Sequence, residues 1–430
     1  MSWLRSARVG GAVVDVEVSG GTVTQVTPAT GTVAAGTLAA GDTDLTGHVL
    51  LPSFVEPHAH LDKALTASRV RNVTGDLAGA IEAIQTLMPA LTVEDIVGRA
   101  EAALRIHLAF GTTTIRTHVN VGEQVGMRAL SALVEVRERW RGLVDLQLVA
   151  LVSNPLEGNP GRDLRLALRE GADLAGGCPH LDPNPDRAVA ICLDAAGDAG
   201  TGLDLHIDET LDPRKLSLET LADLVSRTGF PYGATASHCV SLGMQPAHVQ
   251  RRVSERVAAA GVAVVALPQT NLFLQGRDHP VATPRGLTAV APLRAAGVTV
   301  AAGGDNLRDP FHPVGRGDAL EVAALMVTCG HLDPASALDS VTAAPRVALG
   351  LPPVSVTPGS PADFVALPAS DPLDALGAAG AARTVWRAGR IVAHTTVHCE
   401  LADPGSVSLA AAAVRLAAPV AQRTVPEVAS

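Results

Sequence analysis

The sequence predicts an α/β fold built on a TIM-type (β/α)8 barrel. Short apolar, β-rich runs that end in polar or small residues recur eight times along the chain. The segments between these runs carry apolar residues at helical spacing, as in LETLADLVSRTG. Alternating strands and helices imply a parallel sheet, and eight such units are the number that closes a barrel. The predicted strands lie in LLPSFVEPHAH, TTTIRTHVNV, VDLQLVALVSN, ADLAGGCPH, LDLHIDE, GATASHC, VAVVALPQTN and VTVAAGGDN.

The two ends of the chain predict a second, smaller β-domain. VVDVEVSGGTVTQVTP indicates two strands around a Gly-Gly turn, and RTVWRAGRIVAHTTV indicates two more around an Ala-Gly turn. A lone hairpin is only marginally stable in water, so we expect these flanks to combine. The predicted organisation is a discontinuous β-sandwich from residues 1–50 and 355–400, a barrel over residues 51–354, and a tail over residues 401–430.

Composition restricts the classes of function. Of 430 residues, 47% are hydrophobic and 18% are charged, which is enough for a large buried core. Only 2% are aromatic and the net charge is -10, which argues against nucleic acid or an anionic membrane as partner. The five cysteines have no CxxC spacing and indicate reduced thiols, and no apolar run reaches the ~18 residues of a membrane span. We therefore expect a cytoplasmic protein.

Two histidines two residues apart end the first predicted strand, in LPSFVEPHAHLDK. Residues i and i+2 of an extended segment point to the same side, so the rings of His58 and His60 can converge on one point. That point can be a metal ion, or the pair can be two ordinary polar residues entering a loop. The spacing alone does not decide between these readings.

The other strand ends supply further ligands. In a barrel of this type, functional groups lie at the carboxyl ends of the strands. His206 follows strand 5 and Asp305 follows strand 8, so His58, His60, His206 and Asp305 together offer three imidazoles and one carboxylate. Such a set suits a divalent metal and leaves a position open for water, as catalytic sites do. Other polar residues at the strand ends are His118, Asn120, Ser153, Asn154, His180, Asp182, Asp208, Glu209, His238, Gln269, Asn271 and Asn306.

The chain resembles the amidohydrolase superfamily, and within it the cytosine deaminase-like branch. The resemblance rests on LPSFVEPHAHLDK, RTHVNV, HIDET, ASHC, LFLQGR and GGDNLRDPFHPVGRGD. It implies a distorted barrel and one zinc or iron ion per chain, held by the four ligands named above. It also implies that Glu209 shuttles a proton to a ring nitrogen of the substrate and that His238 holds the attacking water. Asp305 would both bind the ion and take the proton of that water.

Departures from the family pattern concern metal number and substrate. Binuclear relatives bridge their metals with a lysine after strand 4, where this chain reads GGCPHLD, so one ion is expected. Ser153 stands where cytosine deaminase has a glutamine, Asn306 where it has an aspartate, and Phe311 where it has a tryptophan. These three residues, together with His118, are the predicted substrate contacts. For His118, a hydrogen-bonded histidine at the end of a strand is an equally open interpretation, and Asn306 is either a substrate contact or a group that orients Asp305.

Three functions are compatible with these residues. The first is hydrolytic deamination of a pyrimidine-, triazine- or purine-like N-heterocycle, in which activated water attacks the amino-bearing carbon and ammonia leaves. The second is hydrolysis of a cyclic amide or an N-alkylamino group. The third is a non-catalytic binding barrel, which predicts that metal ligands have been lost, whereas the sequence retains all of them.

The expected partner is a small heterocyclic substrate, and relatives suggest a homo-oligomer. We expect His180 to shape its loop, Asp62 and Lys63 to pair with each other or to cap the next helix, and Cys239 to be at most an alternative nucleophile.

Overall fold

The computed structural model describes residues 1–29, 38–122, 124–401 and 412–413. The chain divides into two compact units, one of Met1–Ser53 and Val354–Ser430 and the other of Phe54–Pro353. Most of the predicted tail lies outside the described residues.

The strands and helices alternate through the middle of the chain. The strands are β1 (Ser2–Val9), β2 (Ala12–Ser19), β3 (Thr22–Pro28), β4 (Thr43–Asp44), β5 (His48–Pro52), β6 (Phe54–Ala59), β7 (Thr112–Asn120), β8 (Asp145–Val152), β9 (Leu174–Gly177), β10 (Leu203–Ile207), β11 (Ala234–His238), β12 (Ala263–Ala266), β13 (Val300–Ala302), β14 (Phe364–Pro368), β15 (Arg383–Arg387), β16 (Arg390–Thr395), β17 (Glu400–Leu401) and β18 (Ala412–Ala413). The helices are α1 (Leu77–Leu87), α2 (Val93–Ala109), α3 (Arg128–Arg139), α4 (Arg162–Arg169), α5 (Pro185–Ala199), α6 (Ser217–Thr228), α7 (Val240–Gly243), α8 (Ala247–Ala259), α9 (Pro268–Leu274), α10 (Val290–Ala295), α11 (Ala319–Thr328), α12 (Pro334–Asp339), α13 (Ala343–Ala348) and α14 (Pro372–Ala378), with 3-10 turns at Met88–Ala90 and Pro179–Leu181.

The unit Phe54–Pro353 contains the predicted barrel. Strands β6 to β13 are parallel neighbours in chain order, and every one of the eight predicted strands is present. A parallel bridge between Ala59 and Asp305 joins the end of the first strand to the residues after the last. The sheet is thus nearly closed, and all eight carboxyl ends lie around one mouth. The α/β barrel prediction is confirmed.

The apolar core of this unit is largely aliphatic, in line with the shortage of aromatic residues, and polar side chains such as Arg116 and Asp204 are buried in the barrel as well. Most strand residues are buried, and β7 is buried along its whole length. Strands buried on both faces are typical of parallel sheets covered by helices. In the described part of the chain, no helix combines the length and the apolar character needed to cross a lipid bilayer.

The unit formed by the chain ends is built on one eight-stranded sheet. Its order is β16-β15-β14-β5-β1-β2-β3, with β4 paired to β1. Gly20 and Gly21 connect β2 to β3, and both have positive φ, as a tight hairpin turn requires. Leu51 and Pro52 pair with β14 and so belong to this sheet, whereas the sequence analysis assigned them to the barrel. The apolar run continues across Ser53, so the sequence does not reveal where one sheet ends and the other begins.

Candidate active site

Four side chains from three strand ends converge in the barrel mouth. The Nε2 atom of His206 lies 3.2 Å from Nε2 of His58 and 3.2 Å from Nε2 of His60. The Oδ1 atom of Asp305 lies 3.2 Å from Nε2 of His60 and 3.6 Å from Nε2 of His58. All four residues are at most 5% exposed. The predicted ligand set therefore comes together from residues up to 247 positions apart (305 − 58).

This geometry fits a tetrahedral divalent cation. Bonds of about 2.0–2.2 Å to nitrogen and oxygen place neighbouring ligand atoms about 3.3–3.6 Å apart, close to the distances between these four atoms. His60 Nδ1 donates to the backbone oxygen of His118 (3.2 Å), so its Nε2 directs a lone pair at the Asp305 carboxylate. Neither oxygen of Asp305 has a hydrogen-bond partner among the described residues. A cation between these atoms would relieve the repulsion of the lone pairs.

A buried hydrogen-bond chain fixes the orientation of His58. The Ser237 hydroxyl donates to Asp204 Oδ1 (3.0 Å) and lies 2.9 Å from His58 Nδ1. Because the hydroxyl has one hydrogen, it accepts from His58 Nδ1, and Nε2 of His58 is left with its lone pair. Arg116 donates to the other oxygen of Asp204 (2.8 Å) and so holds the far end of the chain. Burial, reinforced by neighbouring imidazoles, lowers the pKa of His58 and His206 well below its usual value, so both are neutral as ligands must be.

His118 packs against the predicted metal ligand His58 and is not part of the cavity wall. Its ring centroid lies 3.9 Å from that of His58, and it is fully buried. It does not line the cavity that Ser153, Asn306 and Phe311 reach. Nitrogen atoms of His58, His118 and His206 also form a compact group, which shares two members with the predicted ligand set. Both groups therefore define a single place in the barrel.

Glu209 reaches the same cavity because the backbone turns sharply after β10. Asp208 has a positive φ of 51°, and its carboxylate oxygens accept the backbone N–H groups of Ser217 and Leu218 at the start of α6 (3.0 Å each). Glu209 Oε1 lies 3.6 Å from Nδ1 of His238, outside the group of metal-ligating atoms. Burial, with the charge of Asp305, raises the pKa of the Glu209 carboxyl well above its ordinary value. This shift favours the protonated form of the carboxyl, which is the form that a proton donor needs.

His238 is held in one orientation by Asn271. Its Nδ1 donates to the amide oxygen Oδ1 of Asn271 (3.0 Å), so Nε2 carries the lone pair. That Nε2 lies 4.0 Å from Oδ2 of Asp305. His238 and Asp305 both have positive φ, 70° and 63°. Backbone strain at strand ends is typical of functional sites, and here it aims both side chains at the barrel mouth.

The cavity wall combines a few polar groups with an apolar lining. Asn306 donates to Oδ2 of Asp309 (2.7 Å) and accepts from Thr270 (3.4 Å), so both ends of its amide are engaged. Phe311 lies beneath the ammonium of Lys63, 5.1 Å from its ring centroid. The apolar lining consists of Leu77, Ile81, Ile84, Met88, Leu151, Leu181 and Phe311.

Lys63 is a site residue that the sequence reasoning missed. It is buried and lines the cavity, and its hydrogen-bond partner among the described residues is Oδ1 of Asn120 (3.1 Å). It does not pair with Asp62, which accepts the backbone N–H of Asn120 instead (3.0 Å). An ammonium has three donors, so two remain for a ligand. The signal was the lysine directly after HLD, but sequence alone gives no measure of its burial.

His180 and Glu56 were also missed. His180 lines the cavity beside His206, and burial lowers its pKa to about 3. Glu56 accepts the backbone N–H groups of His58 (3.1 Å) and Gly304 (2.9 Å), which ties β6 to the residues before Asp305. Burial raises the pKa of Glu56 to about 8. The Cys239 thiol is fully buried, and this burial raises its pKa well above the ordinary value, which argues against the nucleophile hypothesis.

Comparison with known proteins identifies the family. A model of the amidohydrolase family matches residues 66–393. A pterin deaminase from Rhizobium rhizogenes is 36% identical over 386 residues, which cover 88% of this chain and 87% of the relative. The chain therefore belongs to the amidohydrolase family.

Solved structures agree with this assignment. A 5-methylcytosine deaminase from Klebsiella pneumoniae superposes with a TM-score of 0.83 at 30% identity, covering 92% of this chain and 98% of that one. An N-isopropylammelide isopropylaminohydrolase from Burkholderia multivorans superposes with a TM-score of 0.77 at 31% identity, covering 91% and 98%. The predicted superfamily and its cytosine deaminase-like branch are confirmed. The chain is a hydrolase that acts on carbon–nitrogen bonds, in a metal-dependent family whose ligand pattern its own histidines and aspartate can supply.

Proposed function

We propose that this protein hydrolytically deaminates an amino-substituted N-heterocycle, with a pterin-type ring as the leading substrate. A pterin is an aminopyrimidinone fused to a second ring, and its amino group is attached to a carbon between two ring nitrogens. The observation that carries the proposal is the position of Glu209. Its carboxyl shares one buried cavity with His60, His206 and Asp305 but stands outside the group of metal-ligating atoms.

One divalent ion, zinc or iron, would be held by His58, His60, His206 and Asp305. When bound, the ion would supply an activated water nucleophile at neutral pH. The described residues offer one such cluster of ligands, and the residues that follow β9 contain no lysine; both observations favour one ion per chain.

The chain's own residues would then handle the protons. Asp305 has an oxygen without a donor and can take a proton from the nucleophile. The lone pair on Nε2 of His238 can accept a hydrogen bond from the same water. Glu209 can protonate the ring nitrogen next to the amino-bearing carbon, so that negative charge does not build there. General acid help of this kind contributes about 10² to 10⁴ in rate. The proton held by Asp305 would then pass to the amino group, which leaves as ammonia, while the proton of the added hydroxyl returns to Glu209 as the ring carbonyl forms.

The rest of the cavity suits a flat ring with an oxo group. Leu77, Ile81 and Phe311 offer apolar surface to the ring. The free N–H groups of Lys63 can donate to a ring carbonyl. The likeness to a pterin deaminase at 36% identity supports the fused ring as the first substrate to test.

A second function is hydrolysis of an N-alkylamino substituent. It is favoured by the likeness to the N-isopropylammelide isopropylaminohydrolase at 31% identity. The same cluster and the same proton donor would serve that reaction, with an alkylamine as leaving group in place of ammonia.

The test is a substrate panel in which the released amine is identified. Metal-loaded protein would be incubated with pterin, cytosine, 5-methylcytosine and N-isopropylammelide, and the amine identified by an ammonia-coupled assay and by mass spectrometry. We expect ammonia from pterin. Isopropylamine from N-isopropylammelide, with no ammonia from any aminoheterocycle, would favour the second function and overturn the first.

A further inference from the structure

His180 has one nitrogen whose role the structure explains and one whose role it does not. The residue lies in the 3-10 turn Pro179–Leu181, three residues after the end of β9. Its Nδ1 lies 3.1 Å from the backbone oxygen of His206. A carbonyl oxygen only accepts, so Nδ1 carries the hydrogen and Nε2 carries a lone pair.

Nε2 of His180 is a buried acceptor without a partner. The residue is 7% exposed, and no described residue donates to this atom. Buried polar atoms in native proteins are nearly always hydrogen-bonded, so an exception calls for a reason. His180 lines the same cavity as Glu209, Lys63 and Asp305. A ligand in that cavity can supply the missing donor.

We propose that His180 determines substrate specificity by accepting a hydrogen bond from a ring N–H of the substrate. This inference rests on the proposed function and narrows it to heterocycles that carry a lactam N–H in addition to the amino group. Lys63 offers donors and His180 offers an acceptor in one cavity, and these are the two kinds of group that hydrogen-bond the C=O and the N–H of a lactam. A site built to hydrogen-bond a substrate N–H strongly rejects an analogue that lacks it.

Two variants separate this role from a structural one. In His180→Asn the side-chain amide can still donate to the His206 carbonyl from the place of Nδ1, but no atom replaces Nε2. In Leu181→Ala the neighbouring cavity residue changes shape while the acceptor stays. Each protein would be assayed with pterin and with the derivative methylated at the lactam nitrogen, and its metal content and melting temperature would be measured.

The wild type should prefer pterin to the methylated derivative by at least about 10-fold in kcat/KM. In His180→Asn we expect pterin turnover to fall by about 10- to 100-fold, with the derivative little changed and the metal retained, so the preference collapses. Leu181→Ala should keep the preference. An equal loss on both compounds, or loss of metal, would make His180 a structural residue and overturn the inference. If the wild type acts on neither compound, the proposed substrate fails and this inference falls with it.

Discussion

The Ser237 hydroxyl connects the predicted metal ligand His58 to the buried carboxylate of Asp204, so we expect metal affinity to depend on it. It accepts from His58 Nδ1 and donates to Asp204, so its removal leaves the His58 ring without its orienting partner. Outer partners of metal ligands typically contribute 10- to 100-fold to metal affinity. We expect Ser237→Ala to weaken zinc binding by about that factor in a competition titration with a chromophoric chelator.

A matched control lies on the same strand. The Thr235 hydroxyl accepts from Arg116 (3.1 Å) and donates to the backbone oxygen of Ala348 (3.4 Å), and neither of these partners is a predicted ligand. Thr235→Val should leave zinc affinity near that of the wild type. Unchanged affinity in Ser237→Ala, or an equal loss in both variants, would contradict an orienting role for this hydroxyl.

Glu209→Gln tests the proton shuttle. An amide of nearly the same shape keeps the packing but cannot transfer a proton. We therefore expect kcat on the true substrate to fall by at least about 10²-fold while metal content stays at the wild-type level. Steady-state kinetics and elemental analysis on the same preparation check this. Normal turnover with full metal would make Glu209 a structural residue and would favour the alternative hydrolysis reaction.

Because Ser153 lies in the cavity wall, we expect cytosine to be a poor substrate. A planar amide edge is read best by a side chain that offers a donor and an acceptor together, and Ser153 has a single rotating hydroxyl in the cavity wall. We expect a kcat/KM for cytosine below about 10⁴ M⁻¹s⁻¹. A value above that range, measured by ammonia release, would refute this expectation.

At the scale of elements, the turn between β10 and α6 couples stability to the site. The Asp208 carboxylate satisfies two buried backbone donors at the start of α6, and its left-handed backbone directs Glu209 into the cavity. Leaving buried donors unsatisfied costs about 1–3 kcal/mol. We expect Asp208→Ala to lower the free energy of unfolding by that amount in urea titrations.

The control for this turn is Asp186→Ala. Asp186 is on the surface in the first turn of α5, where it accepts from Thr220, and surface changes of this kind usually stay within about 0.5 kcal/mol. If both variants lost the same stability, the turn would have no special role.

Strands and helices were predictable from the sequence wherever a single continuous segment contains the pattern that identifies them. An apolar run that ends in polar or small residues indicates each barrel strand, and this pattern predicted even the four-residue strand β9. The position of His118 was not predictable. It points to the same side as Asn120 but lies two residues, about 6.6 Å, deeper in a strand buried on both faces. Pattern within the strand does not distinguish the cavity wall from the layer below it.

Contacts between residues far apart in the chain were also not predictable from the sequence. Ser237 meets His58 across 179 residues, and Glu56 reaches Gly304 across 248. Nothing local in either segment marks these partners. Lys63 and His180 stand in loops whose side-chain directions depend on the assembled barrel.

For the whole molecule, we expect about one equivalent of zinc or iron per chain. Among the described residues, the two groups of possible ligands share His58, and Nε2 of His206 lies 3.2 Å from Nε2 of both His58 and His60, so the two groups lie at one place. Elemental analysis of carefully prepared protein checks the count, and His206→Ala should lose most of the metal. Two tightly held ions per chain would contradict the mononuclear site.

The most direct test of hydrolytic deamination is an isotope experiment on the metal-loaded protein. Pterin would be turned over in water enriched in oxygen-18, and the product and the released amine analysed by mass spectrometry. The account predicts one labelled oxygen on the ring carbon that carried the amino group, an equal amount of ammonia, and loss of the reaction when the metal is removed by a chelator. An opened ring, or turnover that survives complete removal of the metal, would contradict it.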